Sequence, residues 1–151
     1  MRQDQAAEFG VPVRSHDADV SKAAEVDRLI AETEQALGAL EILVNNTGIQ
    51  FVAHVEDFPP ERWTAIQDIV LNSSFHAVRA AVPGMKRRGW GRIINLVSAH
   101  GLIASSFKSA YLATKHGQVG LTKTVALELA ETAITCNAIC LGYVRTLLVE
   151  G

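Results

Sequence analysis

Trp90 to Ile139 reads WGRIINLVSAHGLIASSFKSAYLATKHGQVGLTKTVALELAETAITCNAI, and this stretch decides the fold. It opens on a short apolar run, Arg92 to Val97, set between Gly91 and the small polar Ser98. A second such run returns at Ile134 to Ile139. Between them Ser109 to Leu129 contains no proline and is long enough for roughly six helical turns. A short apolar run, a long helix and another short apolar run make a crossover unit. Its two strands lie parallel, because a helix must carry the chain back before the second strand starts.

The same alternation continues toward the N-terminus. Glu41 to Asn45 is a short buried strand with Ile42, Leu43 and Val44 at its centre. Val26, Leu29, Ile30, Thr33 and Leu37 mark one face of a helix that Ser21 is expected to cap and Gly38 to end. Val11 to Asp19 is expected to be a further strand. Pro59-Pro60-Glu61 opens another helix, since proline is tolerated in a first turn. That helix is expected to run toward Met85, with an interruption near Pro83-Gly84. The pattern predicts an α/β fold around a parallel sheet.

Composition narrows the function classes. The 151 residues allow one domain, and 48% hydrophobic with 20% charged residues suits a globular chain. A formal charge of −2 gives no electrostatic case for nucleic acid or an anionic membrane. The run Lys86-Arg87-Arg88 is expected to solvate a helix end. No apolar stretch reaches transmembrane length, and MRQDQAAEFG does not read as a signal peptide. Cys136 and Cys140 fall in one expected strand, where four residues span about 13 Å, too far for a disulfide. They are expected to be small, largely buried thiols in a reducing, cytoplasmic compartment. No metal site is expected, because no histidine or carboxylate stands at ligand spacing around them.

The chemistry centres on three residues. Ser98 ends one expected strand, Tyr111 follows thirteen residues later, and Lys115 stands one helical turn beyond the tyrosine. Helical spacing i, i+4 puts Tyr111 and Lys115 on one face. An ammonium there favours a phenolate, and a serine hydroxyl can hold a substrate oxygen beside the phenol. Together these make a proton-transfer site for carbonyl and alcohol chemistry.

Four blocks surround these residues: NNTGIQ at Asn45–Gln50, WGRIINLVSAHG at Trp90–Gly101, KSAYLATKHG at Lys108–Gly117 and TCNAICLGYVRT at Thr135–Thr146. In order and spacing they resemble the short-chain dehydrogenase/reductase family over nearly the whole chain, and within it the bacterial enzymes acting on 3-hydroxybutyrate. The resemblance implies a partial Rossmann-like fold, a doubly wound parallel sheet in three α/β/α layers, with residues 1–151 as a single partial NAD(P)-binding domain. It implies an NAD-dependent oxidoreductase that interconverts (R)-3-hydroxybutyrate and acetoacetate. The alternatives are another reductase of the family, such as one acting on 3-oxoacyl thioesters, and a non-catalytic fragment.

By the same resemblance Ser98, Tyr111 and Lys115 are catalytic. Asp19, Val20, Asn45, Asn46, Gly48, Gly142, Val144 and Thr146 join Tyr111 and Lys115 around the cofactor NAD. Gln50, His100 and Lys108 join Ser98 around the substrate, where a lysine and hydrogen-bond donors suit a small hydroxy or keto acid anion. The expected assembly of the full-length protein is a homotetramer that uses the helix at Ser109–Leu129, while this chain is expected to associate heterogeneously.

Three departures from the family pattern stand out. No GxGxxG or TGxxxGxG segment occurs, so this chain is expected to bind NAD weakly, as a piece from the middle of the family's domain. The same reading leaves the strand at Val11–Asp19 without its neighbour, orphaned or shifted against the strand at Glu41–Asn45. The usual prolines are replaced in Leu141-Gly142 and Thr146-Leu147. A relay asparagine found in many relatives falls by spacing on Val70. Asn72 lies two residues on, about 200° around a helix, and would need a bulge to take that place.

Overall fold

A computed structural model describes residues 10–142 of the chain. Its sheet consists of β1 (Ile42–Asn45), β2 (Gly91–Leu96) and β3 (Ile134–Ile139), parallel and in the order β1-β2-β3. Around it lie α1 (Ala23–Leu37), α2 (Pro60–Ile66), α3 (Ser73–Arg88) and α4 (Ser109–Glu128). A π-helical segment, Gln67–Asn72, joins α2 to α3, and a 3-10 turn, Ala99–Gly101, follows β2. The expected parallel α/β arrangement is therefore present, as a partial Rossmann-like sheet flanked by helices.

Register explains the core. Leu43 pairs with Ile93, and Ile93 with Cys136, so one row of side chains crosses all three strands on the same face. That row packs with Val26 and Ile30 of α1, Ala77, Val78, Ala81 and Met85 of α3, and Val125 of α4. Burying each large aliphatic side chain contributes about 1.5–3 kcal/mol. The alternate positions Ile42, Val44 and Ile139 are exposed. A parallel strand reads as continuously apolar because a Rossmann sheet expects cover on both faces.

Three local expectations are corrected. Val11–Asp19 forms no strand. Backbone groups of an extended segment need a ladder partner, and none of the described strands lies beside it. Polar contacts hold its C-terminal half instead: Arg28 to Asp17 at 3.1 Å and His16 to Glu32 at 2.9 Å. Ser21 does not cap α1. Its amide and hydroxyl both donate to the Asp19 carboxylate, at 3.0 and 2.6 Å, and Lys22 takes the N-cap position without a side-chain bond.

The long helix, finally, is not interrupted at Pro83-Gly84. Pro83 lies inside α3, and the departure from α-helix comes earlier, at Gln67–Asn72. Proline removes one backbone donor. The turn that contains it is held by burial of Ala81, Gly84 and Met85. Gly91 lets β2 start directly against Met85: a Cβ there would meet the Met85 sulfur at 2.5 Å.

Candidate active site

The C-terminal ends of β1 and β2 and the first turns of α4 converge. β2 delivers Ser98 just beyond its last residue, and the chain turns at once into the 3-10 segment. There the Ser98 hydroxyl oxygen accepts the His100 backbone N–H at 3.2 Å and lies 3.2 Å from His100 Nδ1. The His100 ring sits edge-on to Tyr111, with centroids 6.1 Å apart. Lys115 Nζ lies 5.7 Å from the centre of the Tyr111 ring. Serine, histidine, tyrosine and lysine thus form one contiguous chain of contacts.

Gly101 is needed for this approach. A Cβ at that position would lie 3.0 Å from the Lys115 carbonyl oxygen and 2.7 Å from Val97. Only a residue without a side chain lets the turn press against α4 here.

Lys115 is 3% exposed although it carries an ammonium. Nζ donates to the Leu96 carbonyl at 2.9 Å and to Gln118 Oε1 at 2.8 Å. Burial pushes its pKa down to about 8, partly opposed by the Cys140 thiol beyond β3. One backbone carbonyl, one side-chain amide oxygen and a lowered proton affinity set this amine apart from a solvated surface lysine.

The loop after β1 meets the loop before α4. Ala53 N–H donates to the Phe107 carbonyl at 3.0 Å, and the His54 and Phe107 rings stack edge-on at 4.6 Å. Phe107 has φ of 66°, a left-handed conformation unusual for a side-chain-bearing residue. The reversal sets Lys108 at the N-cap of α4. Gln50, exposed in the first loop, and Lys108, half-buried in the second, are thereby carried by two segments bonded to one another.

The remaining candidates are spread more widely. Asn45 is buried, and its amide donates to Asn95 Oδ1 at 2.8 Å, so its side chain is committed to the sheet. Asn46 and Gly48 follow β1, and a Cβ on Gly48 would meet nothing within 4 Å. Asp19 and Val20 stand before α1. The Asp19 carboxyl is held below its usual range by the Ser21 hydroxyl and amide, and Val20 packs against the core. Asp19 bonds to Ser21, Lys22 and Glu25 rather than to Ser98, Tyr111 or Lys115. Gly142 is exposed after β3; Val144 and Thr146 lie outside the described residues.

The π-helical segment is the bulge that Asn72 would need, yet it does not turn Asn72 inward. Asn72 is exposed and donates to Asp68 at 2.8 Å, while Val70 is fully buried with Ile66 and Ala110. Side chains that drew no notice in the sequence stabilise this segment. Thr47, in the NNTG loop, donates to the Ile69 carbonyl at 2.8 Å, and Gln118 donates to the Val70 carbonyl at 3.0 Å. Asn95 and Thr122 also escaped notice. Asn95 links Asn45 to Thr122, both bonds 2.8 Å long. The available signal was spacing, since Gln118 stands one turn after Lys115 on the same helix face.

Among the described residues no group of three or more His, Cys, Asp or Glu side chains is placed to hold a metal ion, and no helix is long and apolar enough to cross a membrane. Cys136 is buried and Cys140 half-buried, both as free thiols.

A parallel sheet flanked by helices, with Ser98, Tyr111 and Lys115 gathered beyond the C-terminal ends of its strands, is the layout of a partial Rossmann-like fold. The short chain dehydrogenase family model matches residues 2–151, and the chain belongs to that family. It is 57% identical over 138 residues to a D-beta-hydroxybutyrate dehydrogenase of Rhizobium meliloti, covering 91% of this chain and 54% of that protein. Identity is also 57% over 141 residues to the D-beta-hydroxybutyrate dehydrogenase of Cupriavidus necator, covering 93% and 55%. An acetoacetyl-CoA reductase of Rhizobium meliloti is 40% identical over 144 residues, covering 95% and 59%. The chain spans about half the length of the curated relatives it matches.

Proposed function

We propose that the whole protein is an NAD-dependent oxidoreductase interconverting (R)-3-hydroxybutyrate and acetoacetate, with Ser98, Tyr111 and Lys115 as its catalytic residues. The observation that carries this reading is the buried Lys115 beside Tyr111, joined through His100 to Ser98. The equal 57% identities to two hydroxybutyrate dehydrogenases favour that substrate over a 3-oxoacyl thioester.

The donor set suits a hydroxyl-rich cofactor. Lys115 spends two N–H groups on Leu96 and Gln118, and the third remains for a ribose hydroxyl or the tyrosine oxygen. Asn46, Gly48, Gly142, Val144 and Thr146, with Asp19 and Val20 toward the adenine, would complete the cofactor cleft, and Asn45 would contribute backbone groups. When bound, NAD supplies the hydride acceptor.

In the oxidative direction Tyr111 takes the proton of the substrate hydroxyl, and in reduction it returns a proton to the carbonyl oxygen. The Lys115 ammonium stands 5.7 Å from the centre of the Tyr111 ring and supplies the positive charge of the proton-transfer site. Ser98 holds the substrate oxygen, with its hydroxyl oriented by His100. Gln50, His100 and Lys108 bind the carboxylate, and Lys108 supplies the full positive charge. The protein is proposed to assemble as a tetramer through α4, in closed symmetry.

Grafting tests the assignment. This chain replaces the matched 138 residues of the Rhizobium meliloti enzyme, and NADH absorbance is followed with (R)- and (S)-3-hydroxybutyrate and, in reverse, with acetoacetyl-CoA. Turnover of the (R) acid is expected. Turnover of acetoacetyl-CoA alone, or of neither substrate by a folded graft, overturns the proposal.

A further inference from the structure

Gln118 is 1% exposed, in a part of α4 that the chemistry above does not use. Its Oε1 accepts from the Lys115 ammonium at 2.8 Å, and its Nε2 donates to the Val70 carbonyl at 3.0 Å and to Ser74 Oγ at 2.8 Å. Ser74 Oγ donates in turn to the same Val70 carbonyl at 2.9 Å. The amide can face only one way. Turned over, its NH2 would face an ammonium that has no acceptor, and its oxygen would face a carbonyl.

The π-helical segment supplies the other end of this connection. Its Ile69 carbonyl accepts from Thr47 Oγ1 and Ser73 Oγ, at 2.8 and 2.7 Å, and its Val70 carbonyl accepts from Ser74 Oγ and Gln118 Nε2. Two consecutive carbonyls thus each take two side-chain donors. Segments of this kind recur at functional sites, where carbonyls leave the regular ladder.

We propose that Gln118 is a positioning residue of the proton-transfer site: its amide aims the Lys115 ammonium and couples it to the Val70 carbonyl of the π-helical segment. The role rests on the catalytic reading of Lys115. An amide is a neutral acceptor that fixes direction without adding charge, so it orients the lysine while leaving its proton removable. The same bond transmits any shift of the π-helical segment, and of the Thr47 loop bonded to it, to the ammonium. Titratable groups around Lys115 are Tyr111 on its own helix, Cys140 beyond β3 and, next to Tyr111, His100 in the 3-10 turn. From α3 and the π-helical segment, the described contacts reach Lys115 only through Gln118, by way of Ser74 Oγ and the Val70 carbonyl.

The test uses the 151-residue chain, without substrate or cofactor, and two variants. Lys115 ionisation is followed by nuclear magnetic resonance of labelled lysine side chains against pH, with Lys115→Arg assigning the signal. In Gln118→Glu a carboxylate replaces the amide oxygen, and Lys115 is expected to titrate about one pH unit higher than in the parent. In Gln118→Leu the ammonium loses an acceptor, and titration is expected to move the opposite way. A merely structural glutamine would leave the titration unmoved or shift it alike in both variants, and either result overturns the proposal. If the leucine variant does not fold, the glutamate variant decides alone, and an unchanged Lys115 titration rejects the coupling. The grafted enzyme separates this from the activity assignment. There Gln118→Leu is expected to lower kcat while leaving the KM for hydroxybutyrate within about twofold, as for loss of a transition-state interaction. A graft inactive with the parent Gln118 sinks the substrate reading, whereas opposite titration shifts in the isolated chain still support the coupling.

Discussion

Raising the pH should stabilise this chain before it destabilises it, and the two directions belong to two buried side chains. Lys115 has its pKa lowered from 10.5 to about 8 by burial. A lysine with a depressed folded-state value binds fewer protons folded than unfolded between those limits, so stability rises with pH across that window. The full shift corresponds to about 3 kcal/mol. The part released between pH 7 and pH 9 is about 1 kcal/mol. Cys136 works the other way. Burial raises its pKa from 9.0 to about 11, so the unfolded thiol ionises first and stability falls through that range. Its loss by pH 9 is well under about 1 kcal/mol, but it grows to about 3 kcal/mol above pH 11. Urea unfolding followed by circular dichroism should therefore show a net gain of about 1 kcal/mol from pH 7 to pH 9, then a plateau. Cys136→Ala should extend the rise toward pH 10.5, at a cost in absolute stability from the lost packing. Lys115→Arg, which stays charged throughout, should abolish it. A parent whose stability falls steadily from pH 7 to pH 9 would refute the reasoning, because it would mean that Lys115 titrates as a solvated amine.

In the grafted enzyme Tyr111→Phe should abolish turnover while leaving folding and NAD affinity intact, since the ring stays and the proton donor goes; steady-state turnover within tenfold of the parent rejects that role. Lys108→Ala should raise the KM for hydroxybutyrate much more than that for NAD, and equal changes in both would assign Lys108 to general structure. Asn95→Ala should cost about 2 kcal/mol in urea unfolding, because it strands the buried Asn45 amide, while the Thr122 hydroxyl keeps its bond to the Gln118 carbonyl; a loss below about 0.5 kcal/mol would show that the Asn45 amide does not depend on it. Light scattering of the grafted enzyme should report a tetramer, and a monomer would remove α4 from any interface.

Periodicity and punctuation carried the parallel α/β framework. Short apolar runs, a long proline-free helix and Gly38 as a helix stop act over a few residues, and those local forces survive in the folded chain with boundaries moved by one or two positions. That Tyr111 and Lys115 share one helix face was legible for the same reason, since i, i+4 spacing is a property of the helix itself. The places where the sequence misled are those where a distant partner decides. Val11–Asp19 has the residues of a strand but no ladder beside it, so its backbone turns to local bonds. Pro83 stays within α3 because burial of Met85 outweighs one lost hydrogen bond, while the break falls at Gln67–Asn72, where Thr47 and Gln118 reach in from a loop and from α4 to satisfy its carbonyls. Spacing set Lys115 beside Tyr111 but carried no sign of its burial. Only tertiary packing buries its ammonium between Leu96 and Gln118, and burial in a medium that solvates charge poorly is what changes its proton affinity.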